Sequence, residues 1–327
     1  MVRNQVTLVA ARGGGEAAPP PNPAGRRTTM VVVFKATPLP PAYAALTYPG
    51  YRELLGTENP PAGPLLGVGY SLFGQPIGLA LAVCSTASSA DLLSLLVLEE
   101  FRNHGIGTTL LARLQEELRQ DGFHTITCVY PLHKPSTPTL ERLLARQGWQ
   151  APRPRLLICR IQGAEVERML QAPWMHPPPL PAAFTICPWH SATATELAEL
   201  EATLATEPPF DPTLSPFFNP QPYETCNSLG LRYHGSIIGW MLTRRLAPGL
   251  ICYERLFVMP PFQRTGRAIT LLAEAIRRQY TYEIDLPSKG GVWLTQATNL
   301  PMARFIKRRM APYLTSLTET MEAACQL

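Results

Sequence analysis

The sequence lacks the features that mark membrane, secreted and metal-bound proteins. It has no run of about eighteen or more apolar residues, so no membrane-spanning helix is predicted. Residues 1–29 lack the compact apolar core of a secretory signal. The seven cysteines are scattered singly without a C-x-x-C pair, which argues against a disulfide framework and against structural zinc. We therefore expect a soluble cytoplasmic protein with no membrane association and no metal site.

Charge is also sparse, and its distribution argues against nucleic-acid binding. Charged residues make up 16% of the chain, and the formal net charge is +5. Residues 1–29 hold four arginines and one glutamate, so they carry +3 of that total (4 − 1 = 3). The remaining charge is nearly balanced and forms no basic stripe with interleaved aromatic residues. We expect no nucleic-acid partner.

Composition and two segments rich in proline predict two domains. With 46% hydrophobic residues, the 327-residue chain can bury two ordinary cores. Residues 1–29, rich in Gly, Pro and Ala, are predicted to be a disordered N-terminal segment. Residues 171–183 are proline-dense and are predicted to be a stiff linker. The predicted domains are thus residues 30–170 and 184–327.

Periodicity predicts the same order of elements in both halves. Each half reads as a strand, a helix, a pair of strands, a further apolar strand, a turn, a helix, a strand and a helix. In the first half the helix after the turn places Leu110, Leu111, Leu114 and Leu118 on one face. The segment RLLICRI, residues 155–161, is predicted to close the first domain. The fold class is α/β (α+β), with a mixed, mostly antiparallel central sheet flanked by helices in each domain.

One turn occurs twice. FRNHGIGTTLLARLQ begins at Phe101 and FQRTGRAITLLAEAI begins at Phe262, and each follows an apolar run and opens an amphipathic helix. A helix N-terminus carries unpaired N–H groups and partial positive charge, and small residues let a phosphate approach the backbone. Both turns therefore indicate a phosphate or pyrophosphate site.

This arrangement resembles the GCN5-related N-acetyltransferase (GNAT) superfamily, in two tandem copies covering residues 30–327 apart from the linker. The motif that carries the resemblance is Arg/Gln-x-x-Gly-x-Gly/Ala between the fourth strand and its helix. The resemblance implies that each turn binds the pyrophosphate of acetyl-CoA or another acyl-CoA. The residues so implied are Gln263, Arg264, Thr265, Gly266, Arg267 and Ala268 in the second copy, and Arg102, Asn103, His104, Gly105, Ile106, Gly107 and Thr108 in the first.

The resemblance also implies a track for the pantetheine arm. In the family this arm pairs with the backbone of the fourth strand, where that strand splays from the fifth. The implied positions are Leu256 and Val258 in the second copy and Leu95 and Val97 in the first. Asn299 matches an asparagine that reaches the same arm in the family. It can equally be the N-cap of the following helix.

The expected chemistry is acyl transfer to an amine, which requires a base. The family places this base on the fourth strand, nine or eleven residues before the turn motif. Glu254 lies nine residues before Gln263, and desolvation in an apolar strand would raise the pKa of its carboxyl group. The alternative is an ion pair of Glu254 with Arg255 or Arg232. In the first copy Leu93 stands at that position, so activity there would depend on Asp91 or His104.

These positions favour catalysis in the C-terminal domain and a degenerate or regulatory N-terminal domain. Many family members use a tyrosine as the acid that protonates the leaving thiolate, but no tyrosine stands at the matching position here. The possible substitutes are Tyr223, Tyr253 and Tyr313, and the sequence does not choose between them. The expected acceptor is a small-molecule or peptide amine. Residues 207–224 could form a lid over it, with Trp240 and Tyr253 lining the acceptor pocket, or these aromatic residues could simply pack the insertion onto the sheet.

Two further interpretations stay open. The chain could be a non-catalytic acyl-CoA-binding sensor, which would bind the cofactor and release no thiol. It could also be a scaffold in which neither turn binds CoA. In each case the two domains could pack as an intrachain pseudo-dimer.

Overall fold

The structure is a computed structural model that describes residues 29–35, 39–55, 63–206, 211–218, 222–282 and 289–327. The predicted disordered segment 1–29 lies outside these residues, apart from Thr29. Within the described ranges, no helix is long and apolar enough to cross a membrane. The chain divides into two compact units. Unit 1 comprises residues 1–155 and 319–327, and unit 2 comprises residues 156–318.

The helices and strands follow the predicted order closely. Those that begin in the first half are β1 (Thr29–Lys35), α1 (Pro49–Leu55), β2 (Leu65–Leu72), β3 (Gln75–Cys84), β4 (Ser89–Val97), α2 (Ile106–Gln120), β5 (Thr125–Pro131), α3 (Thr137–Arg146) and β6 (Arg153–Gln162). Those of the second half are α4 (Ala164–Leu170), β7 (Phe184–Pro188), α5 (Ala194–Thr206), β8 (Leu229–Tyr233), β9 (Ser236–Ala247), β10 (Leu250–Val258), α6 (Arg267–Tyr282), β11 (Gly290–Gln296), α7 (Leu300–Phe305) and β12 (Ser316–Gln326).

Unit 1 is a mixed sheet between two layers of helix. Its strand order is β1-β2-β3-β4-β5-β12, and β4 and β5 are parallel while the other pairs are antiparallel. The β2–β3 hairpin turns at Phe73 and Gly74, which both have positive φ, as a two-residue hairpin turn requires. The predicted face of α2 is confirmed, because its four leucines are fully buried in a core with Leu140 and Leu144 of α3. The opposite face of the sheet packs against α1 and the 3-10 turn before it.

Unit 2 repeats this plan. Its strand order is β6-β11-β10-β9-β8-β7, and here β10 and β11 form the parallel pair. Helix α6 buries Leu271, Leu272 and Ile276 against one face of the sheet. Helix α5 packs Leu200 and Leu204 against the other face.

The last strand of each repeat belongs to the other unit. Strand β6 follows the helices of unit 1 in the chain, but residues 156–162 pair antiparallel with β11 of unit 2. Strand β12 follows the helices of unit 2, but pairs with β5 of unit 1 from Thr320 opposite Pro131 to Gln326 opposite Thr125. The sequence predicts RLLICRI as the closing strand of the first domain, whereas its pairing with β11 makes it part of unit 2.

The predicted linker is also integrated into unit 2. Ala172 and Met175 are buried in the unit 2 core, and a 3-10 turn spans Pro173–Met175. Trp174 donates a hydrogen bond from Nε1 to the Arg309 carbonyl oxygen at 3.1 Å. Proline density predicts stiffness here, but it does not exclude burial of the apolar residues between the prolines. The division between compact units therefore falls at residue 155 instead of residues 171–183.

Deleting residues 319–327 should destabilise unit 1. The deletion removes the strand that pairs with β5 and the buried side chains of Ala323 and Cys325. Loss of this burial and of the ladder hydrogen bonds should cost about 3 kcal/mol or more and lower the unit 1 melting temperature by about 10 °C. Differential scanning calorimetry of the deleted chain measures the shift.

The control for this deletion is Gln326→Ala, because Gln326 is exposed and its replacement leaves the strand intact. A peptide of residues 316–327 added in trans should restore part of the lost stability. An unchanged unit 1 transition in the deleted chain would contradict the assignment of β12 to unit 1.

Candidate functional site

Two parallel strands part at the same point in both units. In unit 1 the parallel ladder of β4 and β5 runs over four residue pairs and ends at Leu92 opposite Cys128. In unit 2 the ladder of β10 and β11 also has four pairs and ends at Tyr253 opposite Trp293. The rest of β4 and β10 continues beyond this point, so the predicted pantetheine positions, Leu95, Val97, Leu256 and Val258, lie on the parted segments.

A β-bulge lies at the parting point of each unit. In unit 1, Leu81 pairs with Ser94 and Ala82 with Leu92, which leaves Leu93 as the extra residue. In unit 2, Leu242 pairs with Arg255 and Thr243 with Tyr253, which leaves Glu254. A β-bulge shifts the alternation of side chains between the two faces of the sheet and bends the strand. The position predicted to hold the base is therefore structurally distinct in both units.

The turn of unit 1 has the geometry that the motif requires. Asn103 and Gly105 have φ values of 63° and 79°, and the latter leads directly into α2. Arg102 donates from Nε to the Val97 carbonyl oxygen at 3.0 Å, so its side chain ties the turn to the end of β4. His104 is exposed, and its Nδ1–H donates to the Arg102 carbonyl oxygen at 2.7 Å.

The turn of unit 2 follows the same backbone path. Arg264 and Gly266 have φ values of 62° and 81°. Gln263 donates from Nε2 to the Val258 carbonyl oxygen at 2.7 Å, as Arg102 does in unit 1. The guanidinium of Arg267 lies 4.0 Å from the ring centroid of Phe184 and donates to Thr265 Oγ1. Arg267 is thus engaged by its own unit, whereas the equivalent Ile106 is a buried core residue.

A cleft of about 390 Å³ opens beside the turn of unit 1. Eight of the nine residues of this copy that were predicted to bind the cofactor line it, and His104 is the exception. The opposite wall is α3. The complete lining is Leu95, Val97, Phe101, Arg102, Asn103, Gly105, Ile106, Gly107, Thr108, Thr139, Leu140, Arg142, Leu143 and Arg146.

Sequence reasoning missed the α3 wall. The motif describes the turn and the strand, but the helix that faces them comes from about 35 residues later in the chain. A signal was present, because Arg142 and Arg146 are spaced by four residues and so lie on one helical face.

Glu254 is held in an ion pair. Its Oε1 accepts from Arg244 Nε at 2.6 Å, and the carboxylate side chain is 16% exposed. Neither predicted partner is the observed one, since Arg232 pairs with Glu196 and Arg255 donates to the Ser215 carbonyl oxygen. Arg244 lies on β9 opposite Cys252 and reaches the bulge from the neighbouring strand. The expectation of a carboxyl group surrounded by apolar side chains is therefore corrected to a paired carboxylate.

Asp91 lies apart from the unit 1 cleft. It sits in the part of β4 that still pairs with β5, and it accepts a hydrogen bond from Thr127 Oγ1. Four residues, or about 13 Å of strand, separate it from Leu95. The bulge position itself holds Leu93, which is 2% exposed in an apolar core. The structure thus places no acid of this strand at the cleft.

Asn299 is an N-cap. Its side-chain oxygen accepts from the Met302 N–H at 3.3 Å at the start of α7, and the residue is exposed. Of the two interpretations of Asn299, the cap is the one with an observed contact.

Residues 211–218 of the predicted lid are tied to unit 2 by side-chain hydrogen bonds. Trp240 Nε1 donates to the Leu214 carbonyl oxygen at 2.8 Å, and Tyr223 Oη donates to the Pro216 carbonyl oxygen at 2.8 Å. Arg255, which is 8% exposed, donates to the Ser215 carbonyl oxygen at 2.8 Å. Residues 207–210 and 219–221 of the predicted lid lie outside the described residues.

The aromatic residues pack this segment and the core. Trp240 is fully buried, with its ring centroid 5.0 Å from that of Phe257. Tyr253 is 3% exposed, stacks on Trp293 and donates to Gln279 Oε1 at 2.7 Å. The interpretation in which these side chains simply pack is the one that the contacts support.

Tyr223 differs from the other candidate acids in position and environment. It packs with the α5-side core of unit 2, whereas Tyr253 and Tyr313 pack with the α6-side core. Burial raises the pKa of the Tyr223 hydroxyl, and the nearby charge of Glu254 also raises it, against a lowering by Arg255. The hydroxyl therefore keeps its proton at neutral pH.

Three of the cysteines are poor candidates for a nucleophile. Burial raises the pKa of Cys159 and of Cys252 to about 12 and that of Cys84 to about 11. A thiol is nucleophilic as the thiolate, and these groups stay protonated at neutral pH. Covalent catalysis through them is therefore unfavourable.

Comparison with known proteins supports the fold assignment. Residues 36–145 match the acetyltransferase (GNAT) family. No curated protein sequence matches the chain. Among solved structures, a tandem GNAT protein from the clavulanic acid biosynthesis pathway is 16% identical with a TM-score of 0.56, and the alignment covers 91% of this chain and 98% of that one.

Two other structures share the fold. A GCN5-related N-acetyltransferase from Sphaerobacter thermophilus is 18% identical with a TM-score of 0.54, covering 90% of this chain and 95% of that one. The glucosamine N-acetyltransferase region of a fungal multi-domain β-N-acetylglucosaminidase is 12% identical with a TM-score of 0.52, covering 92% of this chain and 38% of that one. Residues 36–145 thus match the GNAT family, and the chain as a whole shares the fold of these structures, one of which is a tandem GNAT protein.

Proposed function

We propose that this protein is an acyl-CoA-dependent N-acyltransferase in which the two units have different roles. Unit 1 binds acyl-CoA in its cleft without using it, whereas unit 2 binds acyl-CoA at its own turn, residues 263–268, and transfers the acyl group to an amine. The observation that carries the proposal is the repeated bulge beside the parted strands, which holds Leu93 in unit 1 and Glu254 in unit 2.

The residues of unit 1 fit an acyl-CoA. A Cβ at Gly105 would meet nothing within 4 Å, so the turn is open on the side that a phosphate would approach. The N–H groups at the start of α2 would hold the pyrophosphate, and the parted end of β4 would pair with the pantetheine amides. The cleft volume of about 390 Å³ lies within the usual range for a cofactor site. The equivalent turn of unit 2 would hold the same group, and acyl-CoA bound there would supply the thioester carbonyl that the amine attacks.

Glu254 is the proposed base of unit 2. An amine attacks as the neutral form, so a proton must leave its nitrogen, and the Glu254 carboxylate would accept that proton. Arg244 fixes the carboxylate by two contacts to Oε1, of 2.6 Å from Nε and 2.5 Å from Nη2. This pairing keeps the side chain in one position, as general-base catalysis requires.

Tyr223 is the proposed proton donor. The charge of Glu254 acts on the Tyr223 hydroxyl, and the raised pKa of that hydroxyl keeps it protonated. Its donor bond to the Pro216 carbonyl oxygen would have to be exchanged for one to the departing sulfur. The acceptor is a small-molecule or peptide amine.

The contacts within unit 1, considered by themselves, favour a second function. The cleft is present, but Leu93 occupies the bulge and Asp91 is engaged with Thr127 away from the cleft. These contacts favour a unit that binds acyl-CoA without using it. If unit 2 were also inactive, the protein would be an acyl-CoA-binding sensor.

Thr108→Glu should weaken acyl-CoA binding in unit 1. Thr108 lines the cleft in the first turn of α2, where a glutamate is compatible with the helix dipole. A carboxylate about 5 Å from a phosphate charge costs about 3 kcal/mol at an effective dielectric constant of about 20. Isothermal titration with acetyl-CoA should therefore show at least tenfold weaker binding at this site.

Thr108→Gln is the matched control, because it has the same size without the charge. Ile269→Glu and Ile269→Gln apply the same pair of changes at the equivalent position of unit 2, since Gln263 aligns with Arg102. Equal binding by Thr108→Glu, Thr108→Gln and the unmodified protein would exclude the unit 1 cleft as the cofactor site.

Glu254→Gln should lower turnover at least tenfold and change acetyl-CoA affinity less than threefold. A tenfold loss corresponds to about 1.4 kcal/mol of transition-state stabilisation, which is modest for removal of a general base. The measurement is free-thiol release from acetyl-CoA with a panel of primary amines, alongside titration of the cofactor.

Glu224→Gln is the control for this variant. Glu224 pairs with Arg245 at 2.7 Å and is 13% exposed, so the change removes a similar ion pair from the same unit. Turnover in Glu224→Gln should stay close to that of the unmodified protein. Unchanged turnover in Glu254→Gln would refute the assignment of the base.

A further inference from the structure

The α3 wall of the unit 1 cleft is strongly basic. The lining includes three arginines, Arg102, Arg142 and Arg146, and no acidic residue. Arg102 directs its Nε to the Val97 carbonyl oxygen, so it closes the turn and adds charge there. The other two arginines lie on α3, across the cleft from the turn. The cleft therefore offers positive charge in two places.

The acid of α3 does not neutralise these arginines. Within Thr137–Arg146 the one carboxylate is Glu141, and its Oε1 accepts from Tyr130 Oη at 2.9 Å. Tyr130 is 1% exposed, so this contact directs Glu141 towards the core side of the helix. The positive charge of the cleft wall is thus left for a ligand.

Arg142 and Arg146 differ in how they are held. Arg142 donates from Nε to the Pro138 carbonyl oxygen at 3.2 Å and from Nη2 to Thr139 Oγ1 at 3.3 Å, which positions the guanidinium along the helix. Arg146 is exposed, and among the described residues it has no recorded hydrogen bond or ion pair. In the last turn of α3 it also interacts favourably with the helix dipole. That role explains a cation at Arg146 but not a second one at Arg142.

A CoA thioester carries two separate anionic groups. The pyrophosphate has the N–H groups of the turn as its partners, whereas the 3′-phosphate on the ribose carries up to two further charges. Arginine binds phosphate with a planar set of donors and is better suited to this than lysine. A carrier for the same acyl group that lacks the 3′-phosphate would leave the α3 arginines without an anion.

We propose that Arg142 and Arg146 bind the 3′-phosphate of CoA and make unit 1 selective for CoA thioesters over donors without that phosphate. This inference rests on the proposed binding of acyl-CoA in the unit 1 cleft. It adds a specificity determinant on α3, outside the repeated turn motif.

The test compares two ligands by isothermal titration, acetyl-CoA and 3′-dephospho-acetyl-CoA, at the site that Thr108→Glu weakens. The unmodified protein should bind acetyl-CoA at least about tenfold more tightly than the dephospho compound, because charge-assisted hydrogen bonds to the phosphate are lost with it. In the Arg142→Gln/Arg146→Gln double variant this preference should fall to about threefold or less. The loss should arise from weaker acetyl-CoA binding, with the dephospho affinity nearly unchanged.

Arg52→Gln/Arg119→Gln is the matched control, since it removes two exposed arginines of unit 1 that lie outside the cleft lining. It should keep the preference of the unmodified protein. A double variant on α3 that retains the full preference, or an unmodified protein without any preference, would overturn the role of these arginines. In both of those cases acetyl-CoA would still bind, so the proposed function would survive. Absence of acetyl-CoA binding at the Thr108 site would overturn both.

Discussion

The parting of two parallel strands is the constraint on which each unit depends. Backbone N–H and C=O groups need partners, and a parallel ladder that stops after four pairs leaves the rest of β4 and β10 available to another polar chain. The bulge at Leu93 or Glu254 bends the strand at this point, and the turn that follows directs the N-terminus of a helix towards the opening. Strand, bulge and turn therefore form one site, and in unit 1 a cleft of about 390 Å³ lies beside it.

The two units share this backbone arrangement but carry different side chains on the sheet face beside it. In unit 1 the sheet face opposite α2 is closed by Leu79, Leu81, Leu93 and Leu96, which pack under α1. In unit 2 the corresponding face carries Glu254, Arg255 and Tyr223, with residues 211–218 tied across it. An apolar face has no group that could move a proton, whereas a carboxylate and a phenol can. This difference underlies the proposed division into a binding unit and a catalytic unit.

The exchange of β6 and β12 means that unit 1 is made of two separate stretches of sequence, whereas unit 2 is the single stretch 156–318. Unit 1 is completed by the C-terminal nine residues, and Ala323 and Cys325 are part of its core. A hydrogen bond from the Gln150 N–H to the Ala324 carbonyl oxygen, at 2.8 Å, fixes this end beside α3. Unit 1 is thus assembled from two stretches of chain that are separated in sequence by residues 156–318.

Much of the fold could be predicted from the sequence, because hydrophobic periodicity and turn residues determine local structure. The β2–β3 strand pair and the leucine face of α2 follow from such patterns. The partners of β6 and β12 could not be predicted, because strand pairing depends on long-range contacts that periodicity does not encode. β12 was not predicted at all, since SLTETMEAACQ is rich in Glu and Ala, which are uncommon in strands.

The residues of the candidate site likewise divide into those that the sequence predicts and those that it does not. The turn residues are specified by a local motif, and six of the seven in unit 1 line the cleft. The partner of Glu254 and the α3 wall come from other elements, so sequence spacing did not identify Arg244, Arg142 or Arg146. Asn299 had two local interpretations, and the observed contact with the Met302 N–H supports the cap.

The most direct test of the central claim, that the parted strand and turn of unit 1 hold acyl-CoA, is amide hydrogen exchange of the full chain with and without acetyl-CoA. Binding as described predicts slower exchange at the amides of residues 95–97 and 103–108. Slower exchange confined to unit 2, or no change in either unit, would contradict the claim.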